Sequence, residues 1–529
     1  MAGMKIGSGR QWAFFNGHWT DGPQGQLRPP EGGGKEYAAV LRTGEYTDLS
    51  ATFRFKFRAH FGGVRLLFRL QDLQHYYALD IPWCGQQNRN RHLWAGISLA
   101  NGAPLQRYLQ FRMVPGVCPE HERWYTARLE CRGAQISAWI EGRLALQVED
   151  HTLARGRVGL MATVTAVKKT PHFAGLEVEG TQVGPSAWKG LNPPPAHWLT
   201  PCPETEADAY QSYPSILQSK TGRLTVQVPF GNPNRGEIRR AVTVASDDAG
   251  RTWSAPRPAT LPQGFGAPFV RADGTWVCVH GGESKVPRQR ALLAYESKDE
   301  GRTWSKGQPL KVKGRWPTEF SAPAYPSGRP LRLKSGALLV SAYCVLPDGL
   351  ATNFAFRSID EGRTWAAPVR CDRNNPLNPA NPAPQWSCPA NLSEIGLAES
   401  APNQVIGYGR PGPWPQMWEV RSLDGGKSWE PAAHAAFPGY CISLTRTTSG
   451  ALVAITRFPH LCAHLSYDGG LNWDAGTIID YPQWANHQAL EVEPDVVLVV
   501  YMGHMVEPGL PDTRILRLRV TGGGLVVDH

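Results

Sequence analysis

Five stretches decide the fold: Ser246-Asp-Asp-Ala-Gly-Arg-Thr-Trp253, Ser297-Lys-Asp-Glu-Gly-Arg-Thr-Trp304, Ser358-Ile-Asp-Glu-Gly-Arg-Thr-Trp365, Ser422-Leu-Asp-Gly-Gly-Lys-Ser-Trp429 and Ser466-Tyr-Asp-Gly-Gly-Leu-Asn-Trp473. Each reads Ser-x-Asp-x-Gly-x-x-Trp, and successive copies start 51, 61, 64 and 44 residues apart, the length of one four-stranded blade with its loops. The physics of the motif is local. A short carboxylate accepting backbone N–H groups closes a hairpin turn, glycine takes a positive-φ corner, and tryptophan packs its ring against neighbouring strands. These aspartates are therefore structural and do not belong among catalytic groups.

A second repeat lies beside the first: an apolar strand, a turn, then another apolar strand. Tyr213-Pro-Ser-Ile-Leu217 with Gly222-Arg-Leu-Thr-Val226 opens the series, and Ala489-Leu-Glu-Val492 with Val496-Val-Leu-Val-Val500 closes it. Six such pairs predict a six-bladed β-propeller, its last blade without a Ser-x-Asp motif.

Before the propeller, residues 35–180 alternate apolar and polar positions, as in Ala51-Thr-Phe-Arg-Phe-Lys-Phe-Arg58 and Val64-Arg-Leu-Leu-Phe-Arg69, the period-2 signature of half-buried strands. The rhythm from Trp124 through Gly133 and Gly142 to Gly156-Arg-Val-Gly-Leu160 resembles concanavalin-like and laminin-G-like jelly rolls. Gly184-Pro-Ser-Ala-Trp-Lys-Gly-Leu-Asn-Pro-Pro-Pro-Ala196 then reads as a stiff connector. The predicted fold is all-β: a β-sandwich of jelly-roll type over 1–182, a linker over 183–198 and a six-bladed propeller over 199–529.

Composition agrees with this class. The chain has 529 residues, too many for one ordinary core, and its 56 Gly, 45 Pro and 19 Trp suit many short strands joined by tight turns. A formal charge of +10 favours an anionic ligand, but the 55 basic residues are scattered, with none of the Lys/Arg runs that follow a nucleic acid backbone. The ten cysteines form no CxxC pair and no zinc-ligand spacing, so neither a metal site nor a cofactor is called for. No run approaches the ~20 apolar residues of a membrane helix. The N-terminus lacks an apolar signal segment, which as written predicts a cytoplasmic protein with free, buried thiols; removal of a signal peptide would make it a secreted one.

The five motifs resemble the Asp boxes of the sialidase (neuraminidase) superfamily, whose site contains three arginines gripping the substrate carboxylate, an Asp acid/base and a Tyr nucleophile sharpened by a Glu. Residue by residue, the likeness is incomplete. Ser212 stands where the first arginine is expected, and Glu237 is the only carboxylate in the acid/base loop, Phe230 to Arg240, where it either serves as acid or pairs with Arg235, Arg239 or Arg240. Glu394 and Arg410, in Asn-Leu-Ser-Glu-Ile-Gly-Leu and Gly-Tyr-Gly-Arg-Pro-Gly, match the activating Glu and the second arginine. Arg457 stands near the third. Asn486 or His487 occupies the place of the tyrosine, with Tyr481 and, more distantly, Tyr440 as substitutes.

The resemblance therefore implies an exo-acting glycoside hydrolase on a terminal, acidic sugar. Glu237, Glu394 and His487 are the candidate catalytic groups; Arg410, Arg457, Arg239 and Tyr481 are the candidate substrate-binding groups. Paired carboxylates allow general acid catalysis with activated water, and His487 or His504 offers a histidine acid or base. Two alternatives stand beside this reading: a polysaccharide lyase cleaving next to a uronic acid, and a lectin-like glycan-binding protein without turnover.

Overall fold

In the computed structural model the described residues are 11–31, 35–42, 44–58, 61–84, 92–164, 169–184, 190–193, 195–202, 211, 213–231, 240–260, 266–283, 285–345, 351–372, 392–411, 416–440, 442–481, 486–503 and 512–529. Among them, all regular structure is β apart from single turns of 3-10 helix at Pro23–Gly25 and Arg288–Arg290.

The N-terminal strands form two sheets around one core. In Glu45–Lys56, alternation places Phe53 and Phe55 inside and Arg54 outside. Phe55 stacks on Tyr125 of the adjacent strand, with ring centroids 5.6 Å apart, and Phe57 stacks on Trp83 of the opposite sheet at 4.8 Å. Trp83 and Trp94 are both buried. Trp124 instead lies under the cations of Arg54 and Lys56 at 5.3 and 5.4 Å.

The rest of the chain is a β-propeller arrangement. Four-stranded antiparallel sheets begin with the inner strands Ser215–Gln218, Gly266–Val270, Ala324–Arg332, Leu392–Ala401 and His487–Glu493. These are five blades that stand as sheets of their own, where the sequence predicts six. The strands of the fifth repeat, Ile442–Arg446, Leu452–Thr456, Leu461–Ser466 and Thr477–Asp480, are absorbed into an eleven-stranded sheet. The physical reason is an edge: Thr477–Asp480 pairs antiparallel with the N-terminal strand Gln106–Val114, through Thr477 opposite Arg107 and Ile478 opposite Gln106. An exposed edge strand is a template for pairing, and here each edge satisfies the other.

The repeats act as the sequence predicts. At the first, Gly250 N–H donates to Ser246 Oγ at 2.8 Å, and Thr252 N–H donates to Asp248 Oδ1 at 2.9 Å. The same bonds recur around Asp299, Asp360, Asp424 and Asp468. Gly250 has φ +88°, and a Cβ there would lie 2.1 Å from Leu498 of the neighbouring blade, so the turn also needs glycine for the close approach.

Candidate active site

Blade inner strands begin at the end of the channel opposite the Ser-x-Asp turns, and their second strands finish there. Glu394 lies near the start of Leu392–Ala401 and Arg410 near the end of Gln404–Pro411, where Ser393 pairs with Arg410. The register slips between Ser393 and Gly396, and Glu394 within that bulge adopts φ +52°. A left-handed glutamate is uncommon and is retained only where its surroundings enforce it.

Two serines of the preceding blade enforce it. Ser327 Oγ accepts the N–H of Ile395 at 3.1 Å, and Ser341 Oγ donates to the Ile395 carbonyl at 2.8 Å. Thus pinned, the Glu394 carboxylate accepts a hydrogen bond from Arg410 Nη1 at 2.9 Å. Both side chains keep partial exposure, 32% and 21%, so the pair faces solvent rather than the blade interior.

Arg410 also approaches Tyr440, its guanidinium carbon 5.6 Å from the ring centroid. Tyr440 is buried and leads into the next inner strand, where its carbonyl accepts the Arg457 N–H at 3.2 Å. The Arg457 guanidinium donates to Asn486 Oδ1. His487 Nε2 lies 2.8 Å from the Ile455 carbonyl, which fixes that nitrogen as a donor and leaves Nδ1 as the only ring nitrogen able to accept a proton.

The N-terminal sheet backs this cluster. Trp94 stacks on Phe111 at 5.6 Å and meets Phe458 edge-on at 6.2 Å, and Phe458 in turn meets Tyr440 edge-on at 6.1 Å. Aromatic contacts of this kind give the loop between Thr456 and Leu461 a rigid wall.

The structure therefore brings together Glu394, Arg410, Arg457 and His487 at one end of the channel. Tyr481 is elsewhere. The guanidinium of Arg65, from the N-terminal sheet, lies 4.4 Å above its ring, and His460 meets it edge-on at 5.1 Å. The edge pairing of Thr477–Asp480 sets Tyr481, read from the sequence as a substrate-binding residue, at the seam between the sheets. Glu237, Arg239, Ser212 and His504 lie outside the described residues. Of the loop cations, Arg240 is described, packed over Phe230 at 3.8 Å. The sequence gives Tyr440 only the part of a distant substitute for the tyrosine, two residues before the strand Ile442–Arg446.

No protein-family model matches the chain, and no curated protein matches it. Solved structures do. A protein of unknown function from Dyadobacter fermentans is similar to 61% of this chain over 98% of its own length, at 18% identity and a TM-score of 0.47. The NanB sialidase from Streptococcus pneumoniae is similar to 90% of this chain over 95% of its own, at 11% identity and a TM-score of 0.45. The α-L-arabinofuranosidase Arb93A from Fusarium graminearum is similar to 61% of this chain over 97% of its own, at 16% identity and a TM-score of 0.42.

Proposed function

We propose that this protein is an exo-acting glycoside hydrolase that removes a terminal sugar bearing a carboxylate. The single observation that carries this reading is the Glu394–Arg410 pair, 2.9 Å apart and held by a strained, serine-pinned bulge at the mouth of the channel. Strain of this kind is maintained where a side chain must be aimed.

In this reading Arg410 and Arg457 hold the substrate carboxylate, since a planar guanidinium presents a fork of donors that matches a carboxylate. Glu394 acts as base. Its partner is either water or the Tyr440 hydroxyl; in the second case the phenolic oxygen attacks the anomeric carbon, its proton passes to Glu394, and water later cleaves the tyrosyl glycoside. Glu237 remains the proposed acid that protonates the leaving oxygen, and Arg239 a proposed substrate-binding cation. The finer architectural terms belong to the same proposal: the Ser-x-Asp turns are Asp boxes, and the chain divides into a jelly roll over 1–182, a linker over 183–198 and a propeller over 199–529.

The test is fluorophore release from an aryl α-sialoside and an aryl β-glucuronide, with Glu394→Gln in parallel. Turnover of either that is lost in the variant supports the proposal. Turnover of neither by the unaltered protein, or full activity in Glu394→Gln, refutes it.

A further inference from the structure

The opposite end of the channel, on the side of the Ser-x-Asp turns, carries chemistry of its own. A cavity of 590 Å³ opens there, within the ~300–1,000 Å³ range of small-molecule sites. Its lining includes the cations Arg329, Arg332, Lys334 and Arg446 against the carboxylates Glu399 and Glu491.

The carboxylates are already committed. Glu399 accepts the N–H groups of Lys334 and Asn403 at 2.7 and 2.9 Å, and Glu491 accepts those of Thr448 and Asp495 at 2.6 and 2.8 Å. They shape the hairpin turns, and among the described residues neither forms an ion pair with a cation of the cavity. Arg332 is paired with Glu361, outside the cavity.

Arg329 is different. Its Nη1 donates to the Ala489 carbonyl at 3.0 Å, its Nε is buried without a partner, and no carboxylate pairs with it among the described residues. Burial alone depresses its pKa, to about 10. Arg446 also has a buried Nε without a partner and no ion pair among the described residues. Both arginines are half-buried, and a guanidinium partly withdrawn from water without a counter-charge is costly, a cost that an anion in the cavity beside it would offset.

We propose that this end of the channel is a second binding site, specific for a small oxyanion of the phosphate type, with Arg329 as its central donor and Arg446 as its second. It is separate from the Glu394 site. The cavity reaches up to Gly396, two residues beyond Glu394, while Arg446 ends the strand Ile442–Arg446 on the far side and Glu399 lies five residues, about 15 Å, along the strand from Glu394. The site stands whether or not the hydrolase reading does.

The experiment follows the thermal midpoint of the full chain as inorganic phosphate is titrated at constant ionic strength, with chloride as the control. The expected result is a saturable rise of roughly 2–4 °C at a hundredfold excess over Kd. That rise persists in Arg410→Gln, shrinks in Arg446→Gln and disappears in Arg329→Gln. Absence of a saturable rise, its survival in Arg329→Gln or its loss in Arg410→Gln overturns the proposal. Should Arg329→Gln fail to fold, crystals of the unaltered protein grown with selenate decide the matter: an anomalous peak within hydrogen-bond reach of Arg329 supports the site, and its absence there refutes it.

Discussion

His460 Nε2 lies 2.9 Å from Oδ2 of Asp80, a contact between residues 380 positions apart, both fully buried. The same carboxylate oxygen accepts Arg65 Nη2 at 3.2 Å and the Tyr108 hydroxyl at 2.5 Å. Burial by itself would raise the pKa of Asp80, but Arg65 and His460 reverse this and hold it well below the usual carboxylate range. A charged network thus ties the N-terminal sheet to the fifth propeller repeat.

Removing one partner of such a network leaves the other charge buried and uncompensated. Asp80→Leu or Arg65→Met is expected to lower stability by about 3–5 kcal/mol, measured by urea unfolding, while the double change Arg65→Met with Asp80→Leu loses less than either single change. If the double change instead loses the sum of the two, the residues do not act as a pair.

Glu36, beside Arg65, gives this seam a pH dependence. Burial raises its pKa from 4.5 to about 7, despite the opposing attraction of Arg65. A carboxyl whose folded pKa is raised contributes fully below its unfolded pKa, and that contribution is lost as pH rises through the folded value. The Glu36→Gln variant should therefore gain thermal stability relative to the unaltered protein between pH 4.5 and pH 8. A constant difference over that range would contradict the assignment.

The aspartates of the turns behave in the opposite sense. At Asp360 burial pushes the pKa up, but hydrogen bonds from Thr364 outweigh it and bring the pKa down to about 2. Its contribution is present above pH 3.8 and is lost as pH falls towards 2. Asp360→Ala should cost about 1 kcal/mol near neutral pH, read from thermal unfolding, and leave kcat unchanged.

Tyr440 distinguishes the two proposed roles of Glu394. If the hydroxyl is the nucleophile, Tyr440→Phe lowers kcat at least about a hundredfold with little change in KM. If Glu394 activates water directly, kcat falls less than about tenfold.

Much of this was legible in the sequence because local chemistry demanded it. The turns require glycine at Gly250 and its counterparts, and the Glu394–Arg410 spacing is a property of one hairpin, so both were readable from nearby residues. What was not legible depends on contacts between remote segments. Nothing near Tyr481 indicates that the preceding strand will pair with Gln106–Val114, and that pairing both relocates Tyr481 and merges the fifth blade into a larger sheet. Likewise Trp94 reaches the site only because the N-terminal sheet packs against the Phe458 turn.

The pairing of Thr477 with Arg107 also bears on how the chain can be cut. A fragment ending before the propeller would present the Gln106–Val114 strand with a naked row of amides and carbonyls, and a fragment lacking the N-terminal sheets would present Thr477–Asp480 in the same condition. Either half on its own would carry an adhesive border that the intact chain conceals, and would tend to clump with its own kind.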